Sequence, residues 1–145
     1  MFRISTKGRY GFRLMLELSK KHGYGSVSLK EIAERINISE KYLWHLIRML
    51  KDAGFVQSIR GANGGYMISR PTDQISLKDI LTALEGPLEI EFRRNAGTFT
   101  RLHDHDDGGL WAEVSRKISD TLTSYTLKDM LQMQKKDRSV NDYSI

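Results

Sequence analysis

Apolar residues recur at steps of three and four through Tyr10, Leu14 and Leu18, with Phe12, Met15 and Leu16 beside them. This spacing predicts a first helix from Thr6 to Lys21 with a broad buried face, stopped by Gly23 to Gly25. Ser28-Leu29-Lys30-Glu31 reads as a capping box, in which hydroxyl and carboxylate reciprocally satisfy free amides at a helix start. Leu29, Ile32, Ala33 and Ile36 form the apolar stripe of the short second helix, which ends near Arg35. After a tight Asn37-Ile38 connection, Ser39 caps a third helix from Glu40 to about Ala53, with Leu43, Leu46, Ile47 and Leu50 inward and Gly54 as its stop. Two helices joined so closely predict a helix-turn-helix.

The period then changes from helical to alternating. Phe55 to Ile59 and Gly65 to Ser69 alternate like strands around Gly61-Ala62-Asn63-Gly64, which predicts a hairpin directly behind the helix-turn-helix. Pro71 breaks the chain, Ser76-Leu77-Lys78-Asp79 caps a helix to about Glu85, and Gly86-Pro87 ends it. No period holds through the 22 residues from Leu88 to Gly109, a long connection for a small protein and a candidate sensing region. A helix resumes at Leu110, with Trp111, Val114, Ile118 and Leu122 on one side. Thr126-Leu127-Lys128-Asp129 opens a last short helix, and the polar tail after Met133 is expected to fray. No internal repeat is evident. The fold class is mostly α with a small β-hairpin wing. A winged helix-turn-helix occupies residues 1–87, the irregular connection 88–109, and the dimerisation helix with its tail 110–145.

Charge sharpens this picture. Residues 1–70 hold 13 Lys and Arg against 5 Asp and Glu, whereas residues 71–145 hold 10 against 13. The first half is therefore the half that would seek phosphate, although a solvated basic surface is the plainer explanation. With 145 residues, one compact domain and an appendage fit. No apolar run approaches the ~20 residues of a membrane span, and the N-terminus lacks the apolar core of a signal peptide, so a cytoplasmic protein without membrane partners is expected. The absence of cysteine excludes disulfides, thiolate zinc sites and cysteine nucleophiles.

The N-terminal end of a recognition helix enters the major groove, where base edges carry a distinguishable hydrogen-bond code. Here that end presents Ser39, Lys41, Tyr42, Trp44, His45 and Arg48. Lys41 and Arg48 suit phosphate or guanine; Tyr42 and Trp44 suit thymine methyls or sugar, or else pack into the core beside Leu43. His45 reads equally well as a solvated surface residue. Arg60 and Gly61 open the glycine-rich hairpin tip, which could lie close to a duplex while Arg60 reaches a narrow minor groove. An ordinary tight Asn-Gly hairpin is the alternative. A nucleotide-hydrolase phosphate loop is disfavoured because no Gly-Lys-Ser/Thr follows.

Several stretches together carry a resemblance: Ile4-Ser5-Thr6-Lys7-Gly8-Arg9-Tyr10-Gly11, Leu29 to Arg35, Ile38 to Leu43, Gly54 to Tyr66, and Leu84-Glu85-Gly86-Pro87. In these the chain resembles the Rrf-two type winged helix-turn-helix regulators, which include iron–sulfur cluster assembly regulators and cysteine-metabolism repressors. A weaker likeness resumes at Leu110-Trp111 and runs through Thr126-Leu127. The resemblance implies a homodimer paired through the long C-terminal helix and binding double-stranded DNA at an imperfect palindrome, usually as a repressor. It implies phosphate contacts from the Lys7 and Tyr10 region and base contacts from the third helix and Arg60. Lys30, on the second helix, completes the candidate DNA-binding set.

The chain departs from the family twice. Many members carry Glu-Gln where Trp44-His45 stand, so an operator sequence does not carry over. Cluster-binding members have three cysteines before the Leu-Trp pair; those positions hold Arg93, Phe99 and His105 here. No cofactor is expected, and an iron–sulfur cluster is disfavoured, which places the chain nearer the cysteine-metabolism repressors.

His103-Asp104-His105-Asp106-Asp107 could place two imidazoles and a carboxylate around a metal, but a polar hinge of turn formers is the plainer reading. The leading expectation is thus a sequence-specific, dimeric DNA-binding repressor and not an enzyme. The rivals are a DNA-binding module controlled as the subunit partner of a metabolic enzyme and, remotely, a metal-dependent sensor or enzyme using His103 and His105.

Overall fold

The computed structural model describes residues 3–88, 92–93, 99–100 and 109–142. Its elements are α1 (Thr6–Lys20), α2 (Leu29–Ile36), α3 (Glu40–Asp52), β1 (Val56–Ile59), β2 (Gly65–Ile68), a 3-10 turn at Thr72–Gln74, α4 (Leu77–Glu85), β3 (Phe92–Arg93), β4 (Phe99–Thr100), α5 (Leu110–Ser124) and α6 (Leu127–Asp142). The helix starts follow from local chemistry. Ser5, Ser28, Ser39 and Ser76 each accept a hydrogen bond from the backbone amide three residues on. At Ser76 the box is reciprocal through Asp79. At Ser28 it is only half formed, contrary to the sequence expectation, because the Glu31 carboxylate is taken by the Arg35 guanidinium at 2.6 Å. Asn37 closes α2 in the left-handed conformation at φ 56°, which asparagine tolerates better than most residues.

One core gathers these elements. Leu14, Met15 and Leu18 of α1, Ile32 and Ile36 of α2, Leu43, Leu46, Ile47 and Leu50 of α3, and Ile80 and Leu84 of α4 are all buried in it. Leu127 and Met130 of α6 join the same cluster, so the C-terminal helix packs on α1 and is part of the core. That corrects the expectation of a short terminal helix: α6 runs 16 residues, to Asp142. Its N-terminal half is held by the core, while beyond Met133 its side chains are largely solvated. No helix among the described residues is long and apolar enough to cross a membrane.

α1 lies close to α4 because glycine lines the approach. A Cβ on Gly11 would collide with the Leu84 side chain, and one on Gly8 with the Glu85 carboxylate. That carboxylate accepts from both the amide and the hydroxyl of Ser5, at 3.0 and 2.6 Å, tying the entry of α1 to the end of α4.

A doublet not recognised in the sequence links α4 to α6. Ser76-Leu77-Lys78-Asp79 and Thr126-Leu127-Lys128-Asp129 are nearly the same motif, and their backbones pair as an isolated antiparallel bridge. Leu77 N donates to Tyr125 O and Leu127 N to Ile75 O, each at 2.8 Å. The hydrogen bonds that Thr126 donates to Asp129 hold its carboxyl below the usual range.

Within the connection expected to be irregular, β3 and β4 pair antiparallel, with Phe92 opposite Thr100 and Arg93 opposite Phe99. His103 and His105 lie outside the described residues.

Candidate nucleic-acid interface

The exposed side of α3 follows from its buried side. With Leu43, Leu46, Ile47 and Leu50 inward, helical geometry turns Lys41, Trp44, His45, Arg48 and Lys51 outward, and all five are exposed. Ser39 caps the helix, its hydroxyl accepting from Tyr42 N at 3.1 Å. Trp44 is 44 % exposed and not a core residue. Tyr42 is divided between the two readings: half-buried, it packs on the core and meets the Tyr10 ring edge-on at 6.2 Å.

Tyr10 is likewise half-buried, and the Arg9 and Arg13 guanidiniums lie 5.3 and 5.8 Å from its ring centroid. These two arginines were not assigned from the sequence. Their relation to Tyr10, at positions −1 and +3 on one helix, was the available signal. The Tyr10–Tyr42 contact brings this basic cluster of α1 against the N-terminal turn of α3. Lys7 stands one turn before, half-buried, and Lys30 is exposed on α2.

The hairpin is fastened to the helix-turn-helix at three points. β1 and β2 pair antiparallel from Val56 opposite Ile68 to Ile59 opposite Gly65. Val27, just before α2, bridges Tyr66 through two backbone hydrogen bonds of 2.9 and 2.8 Å. Ser26 Oγ donates to Asn63 O at 2.8 Å, and Lys51 Nζ to Ser58 Oγ at 3.0 Å. Arg60 and Gly61 are exposed at the end of β1, with Gly61 at φ +118°, a conformation suited to glycine.

Charge pairing separates the basic residues into two groups. Lys20, Arg35, Arg116 and Lys117 are engaged by carboxylates of the same chain. Among the described residues, Lys7, Lys30, Lys41, Arg48 and Arg60 have no carboxylate within ion-pair distance. The residues that the sequence assigned to DNA are thus among the cations left without an ion pair, as are Lys21, Lys51, Arg70 and several lysines of α4 and α6, and what sets Lys41, Arg48 and Arg60 apart is their place on the exposed face of α3 and the adjoining hairpin. Among the described residues no cluster of His, Asp or Glu is arranged to hold a metal ion.

A winged helix-turn-helix with an unpaired basic face agrees with the comparisons. The family model Rrf2, described as iron-dependent transcriptional regulator, matches residues 4–133. The chain belongs to the Rrf2 family. It is 43% identical over 129 residues to the HTH-type transcriptional regulator CymR of Bacillus subtilis (strain 168), covering 88% of each. It is 33% identical to the HTH-type transcriptional regulator IscR of Sodalis glossinidius, covering 97% of this chain and 87% of the relative. The solved structure of CymR, the global cysteine regulator of B. subtilis, superposes with a TM-score of 0.77 at 42% identity over 92% of this chain and 98% of that one. T. potens IscR superposes with a TM-score of 0.73 at 41% identity, over 92% and 88%. This Rrf2 protein is thus a DNA-binding regulator of transcription and not an enzyme.

Proposed function

We propose that this Rrf2 regulator is a cytoplasmic homodimeric repressor that binds an imperfect palindrome, each α3 entering a major groove and each wing lying along the flanking backbone. The observation that carries the reading is the uncompensated set of cations, Lys41, Arg48 and Arg60, on one helix face and the adjoining hairpin. Major-groove base edges and phosphates are the ligands that such a set can satisfy, and a two-fold dimer doubles the contacts. The likeness to CymR, the global cysteine regulator of B. subtilis, supports cysteine-related genes as the regulated set.

Arg60→Ala is expected to weaken operator binding by about 1–3 kcal/mol without lowering the melting temperature, since its side chain is outside the core. Fluorescence anisotropy with unchanged affinity would remove the hairpin from the DNA-reading surface. Lys41→Ala should weaken specific and random DNA alike and reduce the slope of log K against log salt by about one unit, because a phosphate contact releases counterions whatever the sequence. A loss confined to operator DNA would make Lys41 a base-reading residue.

The family description names iron, but the residues here do not fit a thiolate-held cluster. The chain has no cysteine, and the three positions hold Arg93, Phe99 and His105. A guanidinium and a phenyl ring offer no lone pair to iron. We therefore assign regulation to a signal other than cluster assembly. Protein incubated anaerobically with ferrous iron and sulfide, then desalted, should show no visible charge-transfer absorption and unchanged operator affinity. A stable coloured species that alters binding would overturn this assignment.

A further inference from the structure

The middle of the α3 face carries a feature beyond charge. The Arg48 guanidinium lies over the Trp44 ring, 5.7 Å from its centroid. The His45 ring meets the same indole edge-on at 5.4 Å, with 70° between the planes. Trp44 stands one turn before Arg48, where both side chains leave the helix on the same face. Between α3 and β2 runs a groove of about 250 Å³, lined by Trp44, Ile47, Arg48, Lys51, Asp52 and Tyr66. Asp52 lines that groove but stands beyond ion-pair distance of Arg48, which leaves the guanidinium against the indole without a carboxylate partner among the described residues.

An exposed arginine ordinarily samples many rotamers, and ordering it subtracts from what its hydrogen bonds contribute on binding. A planar guanidinium resting on an aromatic face loses part of that freedom beforehand, while the edge that carries its donors stays available. That edge matches the O6 and N7 acceptors of guanine in the major groove, a match that depends on orientation, whereas attraction to phosphate depends mainly on charge. An arginine held over an indole with no carboxylate within ion-pair distance, midway along the exposed face of α3, is therefore better arranged for reading a base than for neutralising the backbone.

We propose that Trp44 is a positioning residue for operator recognition: its indole holds the Arg48 guanidinium in the orientation that reads guanine, so the pair sets base preference at one position of each half-site. The proposal rests on the reading that α3 enters the major groove, and its test separates the two.

The experiment uses the full-length protein and an operator selected in vitro with it, each half-site base pair then being replaced in turn. Arg48→Ala should abolish a preference of about tenfold or more for one G·C pair. Trp44→Ala should remove most of that preference at the same pair while leaving the salt slope near that of the unsubstituted protein, because the charge on Arg48 remains. Trp44→Phe, which keeps an aromatic face, should restore most of it. The double variant should be no worse at that pair than Arg48→Ala alone. Both side chains are exposed, so unchanged melting temperatures are expected to accompany these results.

The proposal is overturned if Trp44→Ala leaves the G·C preference intact, shifts it at a different pair, or weakens all sequences equally. It is also overturned if Arg48→Ala weakens every sequence alike and lowers the salt slope by about one unit, which would assign the guanidinium to phosphate. If neither variant changes DNA binding, the placement of α3 in the groove falls with it.

Discussion

Gly65→Val is expected to detach the wing, lowering operator affinity at least about tenfold and destabilising the protein by about 2–4 kcal/mol. Gly65 opens β2 directly against the strand-like entry to α2. A Cβ there would press on the carbonyl of Val27 and come within 3.0 Å of Ser28 N. These atoms are backbone, and they cannot swing aside as the end of a flexible side chain can. Making room means separating Val27 from Tyr66, which costs the two hydrogen bonds of their bridge. It also displaces Ser28, whose hydroxyl caps α2 by accepting from Glu31 N. Differential scanning calorimetry and anisotropy on the same preparation report the two effects together. A variant that melts and binds like the unsubstituted protein would show that the Val27–Tyr66 bridge does not hold the wing in place.

The same residue illustrates where reading the sequence stops. Asn63-Gly64-Gly65 announces a turn, and the alternation on either side announces strands, because both signals are local. That Gly65 must be bare to admit Val27, 38 positions earlier, is a long-range contact that no local period encodes. The buried positions of α3 were legible for the opposite reason: four inward residues at helical spacing fix which side faces out, and Ser39 fixes where the helix begins. Tyr42 was left between two roles by the sequence because it borders the buried stripe, and its half-burial against Tyr10 reflects that position. The length of α6 was hidden by its composition. Beyond Met133 the helix is polar except for the exposed Val140, which erases the amphipathic period while leaving good helix formers such as Gln, Lys and Arg in place. At Glu31 the capping-box motif is present but half formed, because Arg35, one turn on, competes for the carboxylate.

Ile118→Glu is expected to give a folded monomer whose operator affinity is at least about a hundredfold weaker, the loss that follows when two linked half-site contacts become one. Trp111, Val114, Ile118 and Leu122 recur at steps of three and four along α5, with Tyr125 in extended conformation just past its end, yet none of the helix is buried. Trp111 and Tyr125 remain 38 % and 42 % exposed, and Leu110 at the helix start 56 %. Within the described chain α1 packs against α6, and α5 rests along α4, so α1 is not the main cover of this stripe. Apolar side chains of this size gain roughly 1.5–3 kcal/mol each on full burial, so a second copy of the same stripe is a favourable cover. Because Ile118 is only half-buried and outside the core cluster, a carboxylate there should spare the fold of the single chain while placing two like charges near the two-fold axis of a dimer. Analytical ultracentrifugation should therefore move from dimer to monomer with the helical circular dichroism retained. Global unfolding would make α5 part of the internal core, and a variant that stays dimeric with full operator affinity would place the dimer interface elsewhere.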